Sequence, residues 1–136
     1  MYIRLTAMIF GDNFYPKKIK HKLNTTLIID DIFNVGDRKP YSDLEEWEYG
    51  CLELIHFPNE FSKEGYDEEY EESFIIFLEK NYDLLFKAGA EDFRIMIDVY
   101  CSCSEQCNFE IFDKEKLFRL AKYHISLPIS IYQENN

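Results

Sequence analysis

Three closely spaced cysteines are the residues whose type and spacing come nearest to a chemical site. Cys101, Cys103 and Cys107 could bind zinc together, with Cys51 or His56 as a fourth ligand. Against a zinc site, the first two cysteines continue a row of Ile and Val on one face of a predicted strand, where a thiol packs as a small apolar side chain. We therefore expect core thiols rather than a metal site, and we expect no cofactor. We expect no disulfide framework, because the cytosol keeps thiols reduced.

The histidines do not form a recognisable catalytic motif. His21, His56 and His124 are far apart in the sequence, and none lies in a nucleophile or metal motif. His56 ends a predicted strand beside an acidic loop, where it could act as a general base, but no nucleophile with an orienting acid can be assigned to it. We therefore predict that the protein is not an enzyme. The alternative is a small enzyme, or a ligand- or metal-binding domain, that uses His56 and the three clustered cysteines.

Acidic residues are concentrated in one part of the chain. The stretch from Asp43 to Glu79 holds half of the 26 acids and only one base, Lys63, so it accounts almost alone for the formal net charge of -11. A field of this sign repels the phosphate backbone of nucleic acids and attracts cations and basic proteins. We therefore predict a basic protein partner and no direct binding of nucleic acid.

Aromatic residues are interleaved with these acids. Trp47, Tyr66 and Tyr70 could anchor a protein partner, while the surrounding carboxylates steer its Lys and Arg side chains into place. The alternative is that the acids are only the solvated surface of an orphan structural domain and keep it soluble. The predicted partner-binding patch consists of Glu45, Glu46, Trp47, Glu48, Tyr66, Asp67, Glu68, Glu69, Tyr70, Glu71 and Glu72.

Periodicity predicts the elements that must position these residues. Alternating apolar residues over 2–10 predict a half-buried strand, Pro16 predicts the start of a helix, and Asp113 predicts an N-cap. Pro128 cannot donate to a strand ladder, so we expect the last strand at an edge or with a break there, with its apolar residues from Ile125 to Ile131 inward. The predicted strands span 2–10, 26–33, 47–57, 93–103, 107–112 and 125–132, and the predicted helices span 17–24, 67–87 and 114–124.

The order of these elements is β-α-β-β-α-β-β-α-β. This order favours an antiparallel or mixed sheet of about six strands with three helices packed on it. We predict a single α+β domain over residues 1–136, with a frayed tail at 133–136, because 136 residues that are 46% hydrophobic suffice for one core. No run of about 18 apolar residues is present, so we expect no membrane span and a cytoplasmic protein.

Three segments resemble a bacterial domain family of unknown function. Residues 10–19, with the pattern F-G-D-x-F-x-P, are similar to its strand, turn and Pro-led helix, and residues 34–37 before Trp47 are similar to its central Gly-Asp loop. Residues 109–121 and the I-x-I-Y segment at 129–132 are similar to its terminal helix and strand. The resemblance covers nearly the full length. It implies an α+β sheet domain and brings no catalytic residues with it.

In size, acidity and lack of a catalytic motif, the chain also resembles the small immunity proteins that bacteria pair with secreted toxins. Many such toxins are nucleases with basic active sites, and an acidic surface can occupy the place of the phosphate backbone. The resemblance implies an immunity protein that neutralises a cationic toxin domain, a nuclease, by direct binding. The sequence leaves the identity of the partner and the oligomeric state open.

Overall fold

The part of the chain that the structure describes folds into six strands and three α-helices. The computed structural model describes residues 1–56, 68–104 and 106–134. Single turns of 3-10 helix follow the first and last α-helices. The predicted α+β class, with a mixed six-stranded sheet and three helices, is confirmed. The strands are β1 (Tyr2–Gly11), β2 (Ile28–Phe33), β3 (Gly50–Ile55), β4 (Asp92–Ser102), β5 (Ile125–Ser126) and β6 (Ile129–Glu134), and the helices are α1 (Pro16–Ile19), α2 (Glu68–Lys87) and α3 (Lys114–Leu120).

β1 lies at the centre of the sheet. Its neighbours β3 and β4 are both antiparallel to it, and β2 is antiparallel to β3 at one edge. β5 and β6 are both parallel to β4 at the other edge. α2 connects β3 to β4 across β1, and α3 connects β4 to the last strands, because parallel strands need a crossover connection rather than a tight turn.

Alternation along the strands divides the sheet into two faces. The face that the helices cover buries Leu5 and Ile9 of β1 together with Ile95 of β4, and α2 adds its predicted apolar stripe, which includes Phe74 and Phe77. The opposite face, which we call the open face, carries no helix of the described residues. Its side chains lie in cross-strand rows, of which one joins Phe10, Cys51 and Phe33 and another joins Tyr2, Tyr100 and Tyr132.

Two segments near the C-terminus differ from the prediction. Residues 107–112 do not form a strand, because Phe112 has a positive φ of 58° and Glu71 accepts its N–H. The last strand divides at Pro128 into β5 and β6, as the proline predicts. However, Ile129 and Ile131 are 59% and 63% exposed, so the expectation that they point into the core is wrong. Residues 133 and 134 belong to β6 rather than to a frayed tail.

No helix within the described residues is both long enough and apolar enough to cross a membrane.

Tyr70 of α2 joins the helices to the central strand. Its side chain is 1% exposed, and the Leu5 N–H donates to its hydroxyl oxygen at 2.8 Å. The same hydroxyl lies 3.5 Å from the Leu5 carbonyl oxygen, to which it donates. The pairing of β1 with β3 runs from Gly11 to Ala7, so the hydroxyl satisfies main-chain groups of β1 beyond the end of that ladder.

Tyr70→Phe should lower the free energy of unfolding by about 1–2 kcal/mol, because it removes a hydrogen-bond partner from buried main-chain groups of Leu5. Denaturant unfolding followed by circular dichroism measures this change. Tyr82→Phe is the matched control in the same helix, since its half-buried ring stacks on Phe86 and its hydroxyl makes no hydrogen bond within the described residues. Equal losses in the two variants would contradict the assignment.

Candidate functional site

Glu71, predicted to bind a partner, is instead buried between α2 and the segment that precedes α3. It is 7% exposed, and its Oε1 accepts the Phe112 N–H at 2.5 Å. Its Oε2 lies 3.8 Å from Nζ of Lys116, whose side chain is itself largely buried. The carboxylate therefore holds the chain in the turn at Phe112 and is not available to another protein.

Arg119 of α3 pairs with two further acids of α2. Its Nη1 lies 2.6 Å from Oε1 of Glu72, and its Nη2 donates to Glu79. The hydrogen bond to Glu79, and then that to Glu72, raise the pKa of the guanidinium above its ordinary value, although partial burial opposes the shift. Basic residues of α3 thus neutralise acids that the sequence alone assigns to the surface field.

The structure corrects the α2 part of the predicted patch. Tyr70 belongs to the core, so its prediction as a surface anchor is wrong, and Glu71 is likewise withdrawn from the surface. Glu69 is exposed and Glu72 is half-buried against Arg119. The other three patch residues of this segment lie outside the described residues, namely Tyr66 and Asp67 entirely and Glu68 in its side chain.

The other part of the predicted patch lies in the loop between β2 and β3. A turn closed by Asn34 and Asp37 starts this loop, and Lys17 of α1 holds the turn through a 2.6 Å ion pair with Asp37. That contact lowers the pKa of the Asp37 carboxyl. The Trp47 N–H donates to the Asp37 carbonyl at 2.8 Å, which fixes the far end of the loop. The predicted residues Glu45, Glu46 and Glu48 are exposed around the half-buried Trp47.

Trp47 belongs to an aromatic cluster, which we define as Phe10, Phe33, Trp47 and Tyr49. Its ring stacks on Phe33 with centroids 4.1 Å apart, and Tyr49 packs edge-on against Phe33, Trp47 and Phe10 at 5.6–5.7 Å. The cluster lies on the open face, because Phe10 and Phe33 occupy its last cross-strand row. Trp47 and the acids of α2 are therefore on opposite sides of the sheet and cannot form one patch.

Acids that the predicted patch omits lie beside this cluster. Asp31 of β2 and Glu53 of β3 face each other directly across neighbouring strands, and an irregular register sets Asp30 next to them. Burial, and then the fields of Asp30 and Asp31, raise the pKa of the Glu53 carboxyl above its ordinary value. Burial also raises the pKa of Asp98 on β4. We call these four residues, Asp30, Asp31, Glu53 and Asp98, the open-face acids.

Arg4 is the cation that offsets this group. It lies on β1 directly opposite Asp98 of β4, and it lowers the pKa of both the Asp98 and the Glu53 carboxyls against the effect of burial. Arg94, the other arginine on the open face, is occupied by Asp92, with Nη2 and Oδ2 2.7 Å apart. Within the described residues, Arg4 therefore acts on Glu53 and Asp98, while Asp30 and Asp31 add two further carboxylates beside Glu53.

A cavity of about 460 Å³ adjoins the aromatic cluster. The rings of Phe10 and Tyr49 form its apolar part, and Asp12, Glu91 and Asp92 place carboxylates around it. The Asp12 N–H donates to Glu91 at 2.9 Å, which holds the two lining segments together. Arg94 also lines the cavity, where it pairs with Asp92 and lies 5.6 Å over the Phe10 ring. Tyr49, Asp12 and Glu91 are the lining groups that suit a further lysine or arginine, whose stem packs on a ring while its head meets the acids.

The cysteines are distributed over both faces of the sheet. Cys101 continues the core row of β4, as predicted. Cys103 follows the strand and is exposed, so the expectation that it is a core thiol is wrong. Cys51 lies on the open face, so it cannot join Cys101 around one metal ion. His56 instead packs edge-on against the Tyr70 ring at 4.8 Å. No three His, Cys, Asp or Glu side chains meet as metal ligands within residues 1–56, 68–104 and 106–134.

No protein-family model, curated protein or solved structure matches this chain. The resemblances noted in the sequence, to a bacterial domain family and to immunity proteins, therefore stay predictions.

The open-face acids are not predicted as a site from the sequence, because none of them belongs to a recognisable binding motif. Alternation along β3 does place Glu53 on the same face as Tyr49 and Cys51, and this signal is readable in the sequence. Its position opposite Asp31 depends on the register between β2 and β3, which a bulge shifts by one residue. Only the assembled sheet sets Asp30 and Asp31 of β2 beside Glu53 of β3.

Glu71→Ala should lower the free energy of unfolding by about 2 kcal/mol, because it leaves the Phe112 N–H and Lys116 without their buried partner. Glu69→Ala is the matched control, since it removes an exposed carboxylate from the same turn of the same helix. Thermal and denaturant unfolding of both variants measure the difference. A surface role for Glu71 would leave the two variants equally stable.

Folded protein at pH 8 should react with thiol reagents at Cys103 and leave Cys51 unmodified. Burial, reinforced by Glu53 and Asp31, raises the pKa of the Cys51 thiol to about 12, so almost no thiolate forms at that pH. Mass mapping after brief labelling, with and without denaturant, measures the reactivity of each thiol. Rapid labelling of Cys51 in the folded state would contradict the burial of this thiol.

Proposed function

We propose that this protein binds a basic protein partner and that the partner docks on the open face of the sheet. The observation that carries the proposal is the direct opposition of Asp31 and Glu53 on a face that no helix of the described residues covers. Two carboxylates opposed across a strand pair destabilise the sheet that contains them. A lysine or arginine supplied by a partner would remove this repulsion, so the arrangement is more favourable in a complex than in the free protein.

The aromatic cluster supports the same surface. Aromatic rings supply most of the binding energy at protein interfaces, and surrounding charges set the rate and specificity of association. Here the half-buried Tyr49 lines the cavity of about 460 Å³ and packs edge-on against Trp47. The exposed Glu45, Glu46 and Glu48 lie in the same loop as Trp47. Open-face acids, cluster and cavity together would receive several basic side chains of one partner.

Within this class we propose an immunity protein that neutralises a cationic toxin domain, a nuclease. A nuclease binds the phosphate backbone with lysine and arginine side chains, and these are the groups that the open-face acids would engage. An acidic protein docked over them would exclude the nucleic acid. The net charge of -11 would also speed association with such a partner, in a manner that salt suppresses.

Asp31→Asn combined with Glu53→Gln should weaken partner binding and at the same time stabilise the free protein. Removal of the repulsion should raise the free energy of unfolding at pH 7 by roughly 0.5–1 kcal/mol. Because folding raises the pKa of Glu53, the wild-type protein loses stability as the pH rises through that raised pKa, and the double variant should lose less. Melting temperatures measured from pH 4 to pH 8 report both effects.

Binding is measured with the basic protein that the wild-type chain retains from extracts of its source cells at low salt and releases at high salt. Asp83→Asn combined with Glu69→Gln is the matched control, since it removes the same charge from exposed positions of α2. We expect the open-face variant to lose at least about tenfold in affinity and the control to lose little. Equal losses would mean that only net charge matters, and an unchanged affinity of the open-face variant would overturn the proposed surface.

A further inference from the structure

The two edges of the sheet differ in charge and regularity. At the β2 edge, Asp30 and Asp31 are exposed and the register shifts between Ile29 and Asp31. Charges and bulges on an edge strand prevent it from pairing with the edge of another sheet. This edge is therefore protected against association through its backbone.

The β6 edge has neither form of protection. Residues 123–133 form the longest run in the chain without Asp, Glu, Lys or Arg, and β6 has a regular register with β4. Ile129 and Ile131 are 59% and 63% exposed on the side of the sheet that bears the helices. An exposed, regular and apolar edge strand is a template for pairing with another strand.

The main-chain groups of β6 that face outward follow from its pairing with β4. Ile97 donates its N–H to the Pro128 carbonyl at 2.8 Å, and a parallel ladder then directs the groups of every second residue toward β4. The N–H and C=O groups of Ile129, Ile131 and Gln133 consequently face away from the sheet. Within the described part of the chain, no strand pairs with them.

An apolar groove borders this edge on the helix side. Its volume is about 490 Å³, and its apolar lining includes Phe109, Leu117, Leu127 and Ile129, with Glu110, Asp113 and Lys114 also lining it. Phe109 and Leu117 are 40% and 44% exposed. A strand added to β6 would therefore bring its own side chains against an apolar surface as well as pairing its backbone.

The edge is also held in place before any partner arrives. On the open face, the Tyr132 ring of β6 stacks on Tyr100 with centroids 4.9 Å apart, and Tyr100 stacks on Tyr2 at 4.6 Å. The Tyr2 hydroxyl donates to Glu134 at 3.2 Å, at the end of β6. A strand fixed in this way loses little conformational entropy on pairing.

We infer that the β6 edge binds the β6 edge of a second copy of this chain, in an antiparallel pair with its two-fold axis at Ile131. In this register the outward N–H and C=O groups of Ile131 form hydrogen bonds with those of Ile131 in the other copy. The outward groups of Ile129 pair in the same way with those of Gln133 in the other copy. The two-fold axis keeps the isoleucines of both copies on the helix side, next to both grooves. Such a self-complementary contact closes after two copies.

Charge favours a second copy over the basic partner proposed above. A copy of this chain carries the same net charge of -11 and is repelled wherever acids are exposed, but the run at 123–133 bears no charge to repel it. A basic protein gains nothing electrostatically at this edge and is attracted to the acids elsewhere. The dimer contact and the proposed partner surface are therefore separate, and either can fail without the other.

Sedimentation equilibrium of the purified chain, from micromolar to submillimolar concentration, should show a monomer–dimer equilibrium. Ile131→Lys should raise the dissociation constant at least about 100-fold, because the two-fold axis sets the two new charges opposite each other. Ile28→Lys is the matched control, since it places the same charge at an exposed isoleucine of the opposite edge, and it should leave the dimer intact. A monomer throughout the range, or a dimer that survives Ile131→Lys, would overturn the inference.

Amide hydrogen exchange gives a second readout on the wild-type chain. The amides of Ile129, Ile131 and Gln133 face solvent in a monomer and should be protected only at concentrations where the dimer forms. Rapid exchange of these three amides at high concentration would refute edge pairing even if the chain dimerised. This measurement decides the question alone if circular dichroism shows that Ile131→Lys does not fold.

Discussion

The pairing of β1 with two antiparallel neighbours is the constraint on which the rest of the structure depends. A central strand with both edges paired has two faces to cover, and the helices of the described residues supply apolar side chains to one of them. The covered face becomes the core. No helix of the described residues covers the other face, where polar and charged residues of four strands lie in rows beside the buried Thr6, Cys51 and Ile55. Tyr70 of α2 binds the main chain of the central strand at Leu5.

The charge that this protein exposes at its surface depends on contacts between helices as much as on composition. The acids of α2 look like a free acidic surface in the sequence, yet Glu71, Glu72 and Glu79 are engaged by α3 and the segment before it. A buried or paired carboxylate contributes little field to a distant partner, because the nearby cation cancels it. Under the proposed function, the negative surface that the partner meets is therefore the group around Glu53, which Arg4 offsets only in part, rather than the helix with the most acids.

The open face and the β6 edge illustrate two kinds of surface in one small sheet. Opposed carboxylates on the open face repel each other and a cation relieves this repulsion, so the partner proposed for this face is a basic one. From Ile129 to Gln133 the edge has no charged residue, and no strand of the described residues pairs with its outward main-chain groups, so the partner inferred for it is another strand. A homodimer through β6 would leave the open faces of both copies uncovered, which would allow two basic partners to bind at once.

The amino-acid sequence by itself determined the elements whose signals are local. Alternation identified β1 and β4, the apolar stripe identified α2, Asp113 caps α3 through the Lys116 N–H as predicted, and Pro128 marks the break between the last strands. Local signals succeed here because propensity, capping and burial of one face all act within a few residues.

Tertiary structure alone decided which groups meet. The strand predicted at 107–112 does not form because a carboxylate from α2, far away in the sequence, holds the Phe112 N–H. The surface role predicted for Tyr70 fails because its ring completes the core against β1. The opposition of Asp31 and Glu53 depends on a one-residue bulge in the pairing of two strands. Each of these outcomes depends on the register or packing of distant segments, and a single sequence carries no local signal for either.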